Sequence, residues 1–161
     1  MNYAKPSVDN NRILIVDDEP INIQLLNGIL EGDYNLNAAT SGEAALKIAR
    51  TVKPDLILLD MVMPGLDGLA VCRALKQDES TREIPVIFVT GLADPEHEER
   101  GLQEGAVDYI YKPVSPPIVR ARVKIHLQNF LTVKFLRGLL DSRDMSIEEA
   151  KTQAESLLVF V

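Results

Sequence analysis

Three runs of consecutive apolar residues, each stopped by a polar or charged residue, constrain the fold of this 161-residue chain more than any other feature. The runs and the residues that end them are 13–16 with Asp17, 56–59 with Asp60, and 86–89 with Thr90. Strands buried on both faces of a sheet are typically apolar throughout, whereas half-exposed strands alternate. The runs therefore predict three central strands of a sheet covered on both faces.

Helix and turn signals separate these runs. Pro20 suits a first helical turn and Gly32 a helix end, Ser41 can cap a second helix, and Ser115 precedes the last one. A more polar, alternating edge strand is expected around 34–38, and a short fifth strand over residues 106–111. Five strands alternating with five helices predict an α/β fold, a doubly wound parallel sheet with right-handed crossovers and helices on both faces.

The functional site of such a sheet lies at the carboxyl ends of its strands. That rule selects five residues that follow predicted strands, namely Asp17, Asp18, Asp60, Thr90 and Lys112. Like charges at short range are costly unless they are protonated or bound to metal, so the carboxylates favour a divalent cation. Mg²⁺ suits a small set of carboxylate oxygens better than Ca²⁺ does. As an alternative, Asp17 and Asp18 could simply cap the helix that follows.

A carboxylate can also attack phosphorus and form an acyl phosphate, a reaction that depends mainly on positioning and charge neutralisation. Lys112 and Thr90 offer an ammonium and a hydroxyl for the phosphoryl oxygens. Zinc is disfavoured because neither His97 nor His126 lies at a strand end. We expect His126 to be solvated on a charged helix rather than to carry phosphate.

Four blocks at the strand ends resemble the receiver domain of two-component response regulators. They are residues 13–20, 54–68, 85–90 and 105–113, within a resemblance that spans roughly 11–128. The resemblance implies a flavodoxin-like fold with strand order 2-1-3-4-5 and a cis Lys112–Pro113 bond. It also implies a Mg²⁺-dependent switch that receives its phosphoryl group from a sensor histidine kinase or a histidine phosphotransfer protein.

The same resemblance implies a role for each site residue. Asp60 is the phospho-acceptor and Lys112 contacts the phosphoryl group. The metal is held by Asp17, Asp18, Asp60 and the Val62 main-chain carbonyl. Thr90 and Tyr109 are the switch residues, of which Thr90 moves toward the phosphate while Tyr109 turns inward, although Tyr109 could instead be plain core.

Val62 and Leu92 each lie two residues beyond a site residue. Because apolar side chains there cannot hydrogen-bond an attacking water, we hypothesise slow loss of the phosphoryl group. The chain would then be a signalling switch that catalyses only its own phosphorylation and slow dephosphorylation.

Residues 11–130 are predicted to form the receiver domain and residues 131–161 a helical linker or dimerisation extension, in a chain that we interpret as a fragment preceding an output domain. Apolar residues recur every three or four positions from Val119 to Val133, so the fifth helix is expected to run past the domain and to support a homodimer. A break is predicted at Gly138 and 141–144, and a capping box at Ser146 should begin a further helix. Residues 117–124 resemble regulators whose next domain makes or degrades a cyclic dinucleotide.

Composition excludes several other classes. A net charge of −7 argues against direct binding of nucleic acid, and Cys72, the single cysteine, cannot form an internal disulfide. A polar N-terminus and the lack of an ~18-residue apolar run predict no membrane association and a cytoplasmic protein.

Three other functions would suit a chain with this arrangement of strands. An aspartyl-nucleophile phosphatase would need a second aspartate where Val62 stands, and a flavin or nucleotide protein would need Gly, Ser or Thr where the sequence has 17–19. The third alternative is a receiver-like scaffold that is never phosphorylated, and the sequence is compatible with it.

Overall fold

The computed structural model describes residues 11–142 and 147–158. Its five strands form one parallel sheet in the order β2-β1-β3-β4-β5, which confirms the predicted topology and places the polar β2 at an edge. The strands are β1 (Arg12–Val16), β2 (Asn35–Ala39), β3 (Leu56–Leu59), β4 (Val86–Thr90) and β5 (Asp108–Tyr111).

Helices cover both faces of the sheet, as predicted. They are α1 (Pro20–Leu30), α2 (Gly42–Val52), α3 (Gly68–Gln77), α4 (Pro95–Gln103), α5 (Pro116–Ser142) and α6 (Ile147–Leu158). Buried side chains of α2 and α3 share one core cluster with alternate residues of the strands, and those of α1 and α5 share the other. The apolar runs are continuous because each central strand contributes side chains to both clusters.

Short polar side chains determine where three of the helices begin. Ser41, Asp67 and Asp94 each accept a hydrogen bond from a backbone N–H in the first turn of α2, α3 and α4, respectively. Such caps satisfy N–H groups that have no partner within the helix. The cap at Ser41 was predicted from the sequence, and the start of α1 at Pro20 also agrees.

The C-terminal part differs from expectation in one respect. The predicted break at Gly138 is wrong, since α5 continues through that residue. The helix ends at Ser142, within the predicted range 141–144, of which residues 143 and 144 lie outside the described part of the chain. A glycine inside a helix costs only about 1 kcal/mol relative to alanine, which the rest of a long helix can tolerate. The capping box proposed at Ser146 lies outside the described residues, although α6 begins next to it at Ile147.

The predicted boundary at residue 130 falls within α5, which crosses it without interruption, so the division into 11–130 and 131–161 stays a prediction. Within the described ranges, none of the helices combines the length and the apolar character that crossing a bilayer would require.

Candidate functional site

Three side chains from three strand ends meet at the carboxyl edge of the sheet. Asp17 follows β1, Asp60 follows β3 and Lys112 follows β5, so parallel pairing brings them to one place. The Lys112 Nζ donates to Asp17 Oδ2 at 2.7 Å and to Asp60 Oδ2 at 3.1 Å. Both aspartates are buried, with 2% and 7% of their surface exposed. The lysine is therefore the counter-charge of two desolvated carboxylates.

The second carboxylate oxygen of Asp17 is held by α1. Asp17 Oδ1 accepts the Glu19 backbone N–H at 2.9 Å and the Asn22 side-chain amide at 3.3 Å. Asn22, which also lines the cleft, was missed by the sequence analysis. The sequence signal that could have identified Asn22 is its position in the first turn of the helix that follows Asp17 and Asp18.

Burial dominates the electrostatics of Asp60. Desolvation raises the pKa of its carboxyl group, and the nearby charge of Asp17 adds to the rise. Lys112 and the Val62 backbone N–H, which donates to Asp60 Oδ1 at 3.2 Å, act in the opposite direction without cancelling it. Burial alone would lower the pKa of Lys112. Its hydrogen bonds to the two aspartates and the attraction of their negative charges outweigh burial, so the pKa of Lys112 is raised.

The donor set fits a hard divalent cation. One carboxylate oxygen from each of Asp17, Asp18 and Asp60 lies within 4.8 Å of the others. Oxygens around octahedral Mg²⁺, each about 2.1 Å from the metal, are about 3 Å apart when adjacent and about 4 Å apart when opposite. The three aspartates therefore need only small side-chain adjustments to share one ion, and with Lys112 they keep an excess of negative charge.

An open cleft of about 480 Å³ lies over these groups. Val62, Thr90 and Leu92 line it together with Asp60 and Lys112. Thr90 is 1% exposed, and its hydroxyl accepts the Leu92 backbone N–H at 3.4 Å. Val62 is 57% exposed, so an apolar side chain borders the approach to Asp60.

Tyr109 points into the protein. It is 3% exposed, and its hydroxyl lies 3.2 Å from the Leu92 carbonyl oxygen and 3.5 Å from Met61 Sδ. Desolvation, followed by the nearby Tyr111 and acidic side chains, raises the pKa of the phenol to about 12. Its ring centroid is 6.0 Å from that of Phe88. The inward orientation that the resemblance associates with the switched state is thus already present here.

The loop after β3 packs closely against the first residue of α3. The Gly68 N–H donates to the Met61 carbonyl at 3.0 Å, and an ideal Cβ on Gly68 would lie 2.1 Å from the Asp60 carbonyl oxygen. No side chain fits in that space. The Lys112–Pro113 bond is cis, as the resemblance implied.

His126 differs from the solvated residue that was expected. Its Nε2 lies 2.7 Å from Asp108 Oδ2, while Arg122 donates to Asp108 Oδ1 at 2.7 Å and to the Tyr109 carbonyl at 3.2 Å. The side chain of His126 is 19% exposed. The expectation was wrong because it treated α5 by itself, whereas β5 supplies the carboxylate.

Comparisons with known proteins agree with this geometry. The family model for the response regulator receiver domain matches residues 13–124. The chain is 49% identical over 117 residues to the "Probable cyclic di-GMP phosphodiesterase" of Vibrio cholerae serotype O1, covering 73% of this chain and 26% of that protein. It is 42% identical over 127 residues to the response regulator PleD of Caulobacter vibrioides, covering 78% and 28%. The chain thus spans about a quarter of the length of these relatives.

A solved structure shows the same likeness. The receiver domain of sensor histidine kinase PA1611 from Pseudomonas aeruginosa, which has a magnesium ion coordinated in its active site cleft, superposes with a TM-score of 0.69. It is 28% identical, and the match covers 73% of this chain and 98% of that one. Sequence blocks, strand order, acidic cleft and family match agree, and the chain belongs to the response regulator receiver domains of two-component systems.

Proposed function

We propose that Asp60 accepts a phosphoryl group from the phosphohistidine of a sensor kinase or a histidine phosphotransfer protein. A carboxylate oxygen of Asp60 forms the new bond to phosphorus, and the electron pair of the breaking P–N bond returns to the donor imidazole. The observation that carries the proposal is the position of Asp60 in an open cleft, 3.1 Å from Lys112 and beside two more carboxylates.

Two residues of the chain neutralise or hold the incoming group. The Lys112 ammonium, which now bridges Asp17 and Asp60, is positioned to bind a phosphoryl oxygen. The Thr90 hydroxyl lines the same cleft and can turn to donate to a second oxygen. Among the described residues, the partner of its hydroxyl is a backbone N–H at 3.4 Å, a long hydrogen bond, so Thr90 loses little on changing partners.

Asp17, Asp18, Asp60 and the Val62 main-chain carbonyl are the residues that would hold Mg²⁺. When bound, the ion would offset the like charges of the cleft and polarise the transferred phosphoryl group. The magnesium ion in the cleft of the P. aeruginosa receiver domain supports this choice of metal.

The switch is proposed to act through Thr90 and Tyr109 on the surface formed by α4, β5 and α5. The two residues are already linked, since Leu92 accepts from Tyr109 and donates to Thr90. Phosphorylation would draw Thr90 toward the cleft and shift the loop that carries Leu92. The chain thereby changes a binding surface and does not turn over a substrate.

The output proposed is a homodimer contact, an attached domain, or both. The V. cholerae relative is named a probable cyclic di-GMP phosphodiesterase, and the aligned region is 26% of that protein. The name and the unaligned remainder together support an attached enzyme of cyclic di-GMP. The absence of direct nucleic-acid binding and a cytoplasmic location stay predictions.

Exposed apolar side chains on α5 support the homodimer. Ile118, Ile125, Val133 and Leu140 are 43–53% exposed. At about 100° per residue they fall within about a quarter of the helix circumference, on a stripe separate from the one buried in the domain. Such a stripe is stabilised when a second copy covers it.

Phosphorylation is tested by intact mass after incubation with acetyl phosphate and Mg²⁺. We expect the wild type to gain one phosphoryl group, and Asp33→Asn, an exposed aspartate outside the cleft, to do the same. Asp60→Asn should gain none. A wild type that stays unmodified, or an Asp60→Asn variant that is modified equally, would overturn the proposal.

Dimerisation is tested by analytical ultracentrifugation with and without the phosphodonor. Ile125→Glu, at the middle of the exposed stripe, should leave a monomer under conditions in which the wild type and Lys124→Glu dimerise. If the wild type is monomeric in both conditions, the homodimer is excluded.

A further inference from the structure

Met61 occupies a position that the proposed function does not use. It follows Asp60 directly, is 3% exposed and belongs to the core cluster on the α2 and α3 side of the sheet. Its sulfur lies 3.5 Å from the Tyr109 hydroxyl. The residue that follows the phospho-acceptor thus contacts the switch tyrosine through its own side chain.

The other end of the same side chain faces α4. An ideal Cβ on Gly101 would lie 3.3 Å from Met61 Cε and 3.0 Å from two ring carbons of Phe88. Gly101 is the one buried residue among the nine of α4, all of which are described. The most deeply buried residue of α4 therefore lies beside Met61 and Phe88.

We propose that Met61 is a positioning residue that couples the placement of α4 to the orientation of Tyr109. The thioether lies between the point where α4 touches the core and the tyrosine hydroxyl. Methionine is unbranched and polarisable, so it can follow a displaced neighbour without leaving a gap. The inference rests on the proposed function, because only a phosphorylated switch would use this connection to carry a signal.

The contact acts mainly through packing. A thioether is a weak acceptor, and the Leu92 carbonyl at 3.2 Å is the better partner for the single phenol proton. Met61 instead fills the space against which the Tyr109 hydroxyl rests, while its methyl group bears on Gly101. A shift of α4 by a few tenths of an ångström would thus be felt at Tyr109 through Met61.

A passive core residue would behave differently from a coupling residue. If Met61 only fills space, changes at Gly101 and at Met61 should alter Tyr109 independently. If Met61 couples Gly101 to Tyr109, the effect of a larger side chain at position 101 on Tyr109 must depend on the residue at position 61. Residues in contact generally show such non-additivity, and independent sites do not.

The test is a double-mutant cycle read by ¹⁹F NMR of 3-fluorotyrosine placed at Tyr109 alone, with no phosphodonor present. Gly101→Ala adds a methyl group against Met61 and Phe88 and should displace the resonance. In a Met61→Leu background, we expect that displacement to fall by about twofold or more. Equal displacement in both backgrounds would overturn the coupling.

Met63→Leu is the matched control, since Met63 is also buried and lies two residues further along the same loop. In this background the displacement caused by Gly101→Ala should be unchanged. An equal reduction here would mean that any methionine-to-leucine change in the loop has the effect, which would also overturn the assignment to Met61.

A second measurement covers the case in which Gly101→Ala does not fold. In protein labelled with [¹³C-methyl]methionine, Tyr109→Phe removes only the hydroxyl. The Met61 methyl resonance should move while that of Met63 stays in place. An unmoved Met61 resonance would contradict the contact on which the coupling depends.

Adding acetyl phosphate and Mg²⁺ then separates the two proposals. Met61→Leu should still gain a phosphoryl group by intact mass, but its Tyr109 resonance should respond to phosphorylation about half as much as in the wild type or less. A full response in Met61→Leu would contradict the signalling role of Met61. A wild type that gains no phosphoryl group would refute the phospho-acceptor function, whatever the outcome of the cycle.

Discussion

Gly68 lies against Asp60 so closely that a β-carbon on the glycine would be 2.1 Å from the aspartate's carbonyl oxygen. The same β-carbon would be 2.7 Å from Met61 Cα. Backbone cannot move aside as the end of a flexible side chain can. The loop that presents Asp60 is therefore held by the start of α3, and any side chain at Gly68 must displace the loop.

Gly68→Ala should lower the free energy of unfolding by ~3 kcal/mol, in the range of severe overpacking, and should slow phosphorylation of Asp60. Gly28→Ala is the control, because a Cβ on this exposed glycine of α1 meets nothing within 4 Å. It should raise stability by ~0.5–1 kcal/mol through helix propensity. Urea unfolding followed by circular dichroism measures both. Equal effects of the two substitutions would contradict the close approach.

Lys112→Met should lower stability by ~2 kcal/mol at neutral pH, because it leaves Asp17 and Asp60 without their counter-charge. Folding raises the pKa of Lys112, so its contribution is fully present below the ordinary lysine value of 10.5 and is lost as pH rises through the raised one. The difference between wild type and variant should therefore be constant between about neutral pH and about pH 10 and should shrink above it. Lys47→Met, on the exposed side of α2, should show no such difference. A gap that persists unchanged at pH 12 would argue against the ion pair.

Asp60→Asn should stabilise the protein in the absence of divalent cations, by on the order of 1 kcal/mol. Burial raises the pKa of this carboxyl group, so the folded state binds its proton more tightly than the unfolded state and the ionised form opposes folding at neutral pH. That opposition should disappear as pH falls through the raised value. Thermal unfolding across pH 3–8 tests the sign. Mg²⁺ should raise the Tm of the wild type more than that of the variant, and the reverse order would contradict a metal site that includes Asp60.

Val62→Asn should shorten the lifetime of the phosphoryl group several-fold, equivalent to about 1 kcal/mol in the barrier. Val62 borders the cleft and is 57% exposed, so an amide there can hydrogen-bond an attacking water at little cost in stability. Decay of the phosphorylated form is followed by intact mass after removal of the donor. Val107→Asn, exposed outside the cleft, should decay at the wild-type rate. An unchanged rate in Val62→Asn would mean that access of water is limited elsewhere.

The strand ends could be predicted because the signals are local. An apolar run that stops at Asp17 or Asp60 identifies both the strand and the edge at which its last residue emerges. General rules for parallel sheets then bring the ends together without knowledge of any distance. Strand order followed from the family resemblance, and the sheet confirms it.

What could not be predicted depends on how elements pack against each other. The partner of His126 is Asp108, 18 residues earlier and on a strand, and periodicity within α5 carries no information about it. The same holds for the contacts of Met61 with Gly101 and Tyr109, which join a loop, a helix and a strand. Gly138 is a different case, because its low helix propensity is a local signal that predicted a break. The long helix on both sides of it nevertheless continues through this residue.

The continuity of α5 has a mechanical consequence. Its 27 residues make a rod of about 40 Å, with Val119, Val123 and Leu127 fully buried near one end. A tilt of about 5° at this anchored end would sweep Ser142, about 22 Å further on, through about 2 Å. A small tilt near the sheet would thereby be enlarged at the far tip, as at the end of a lever arm.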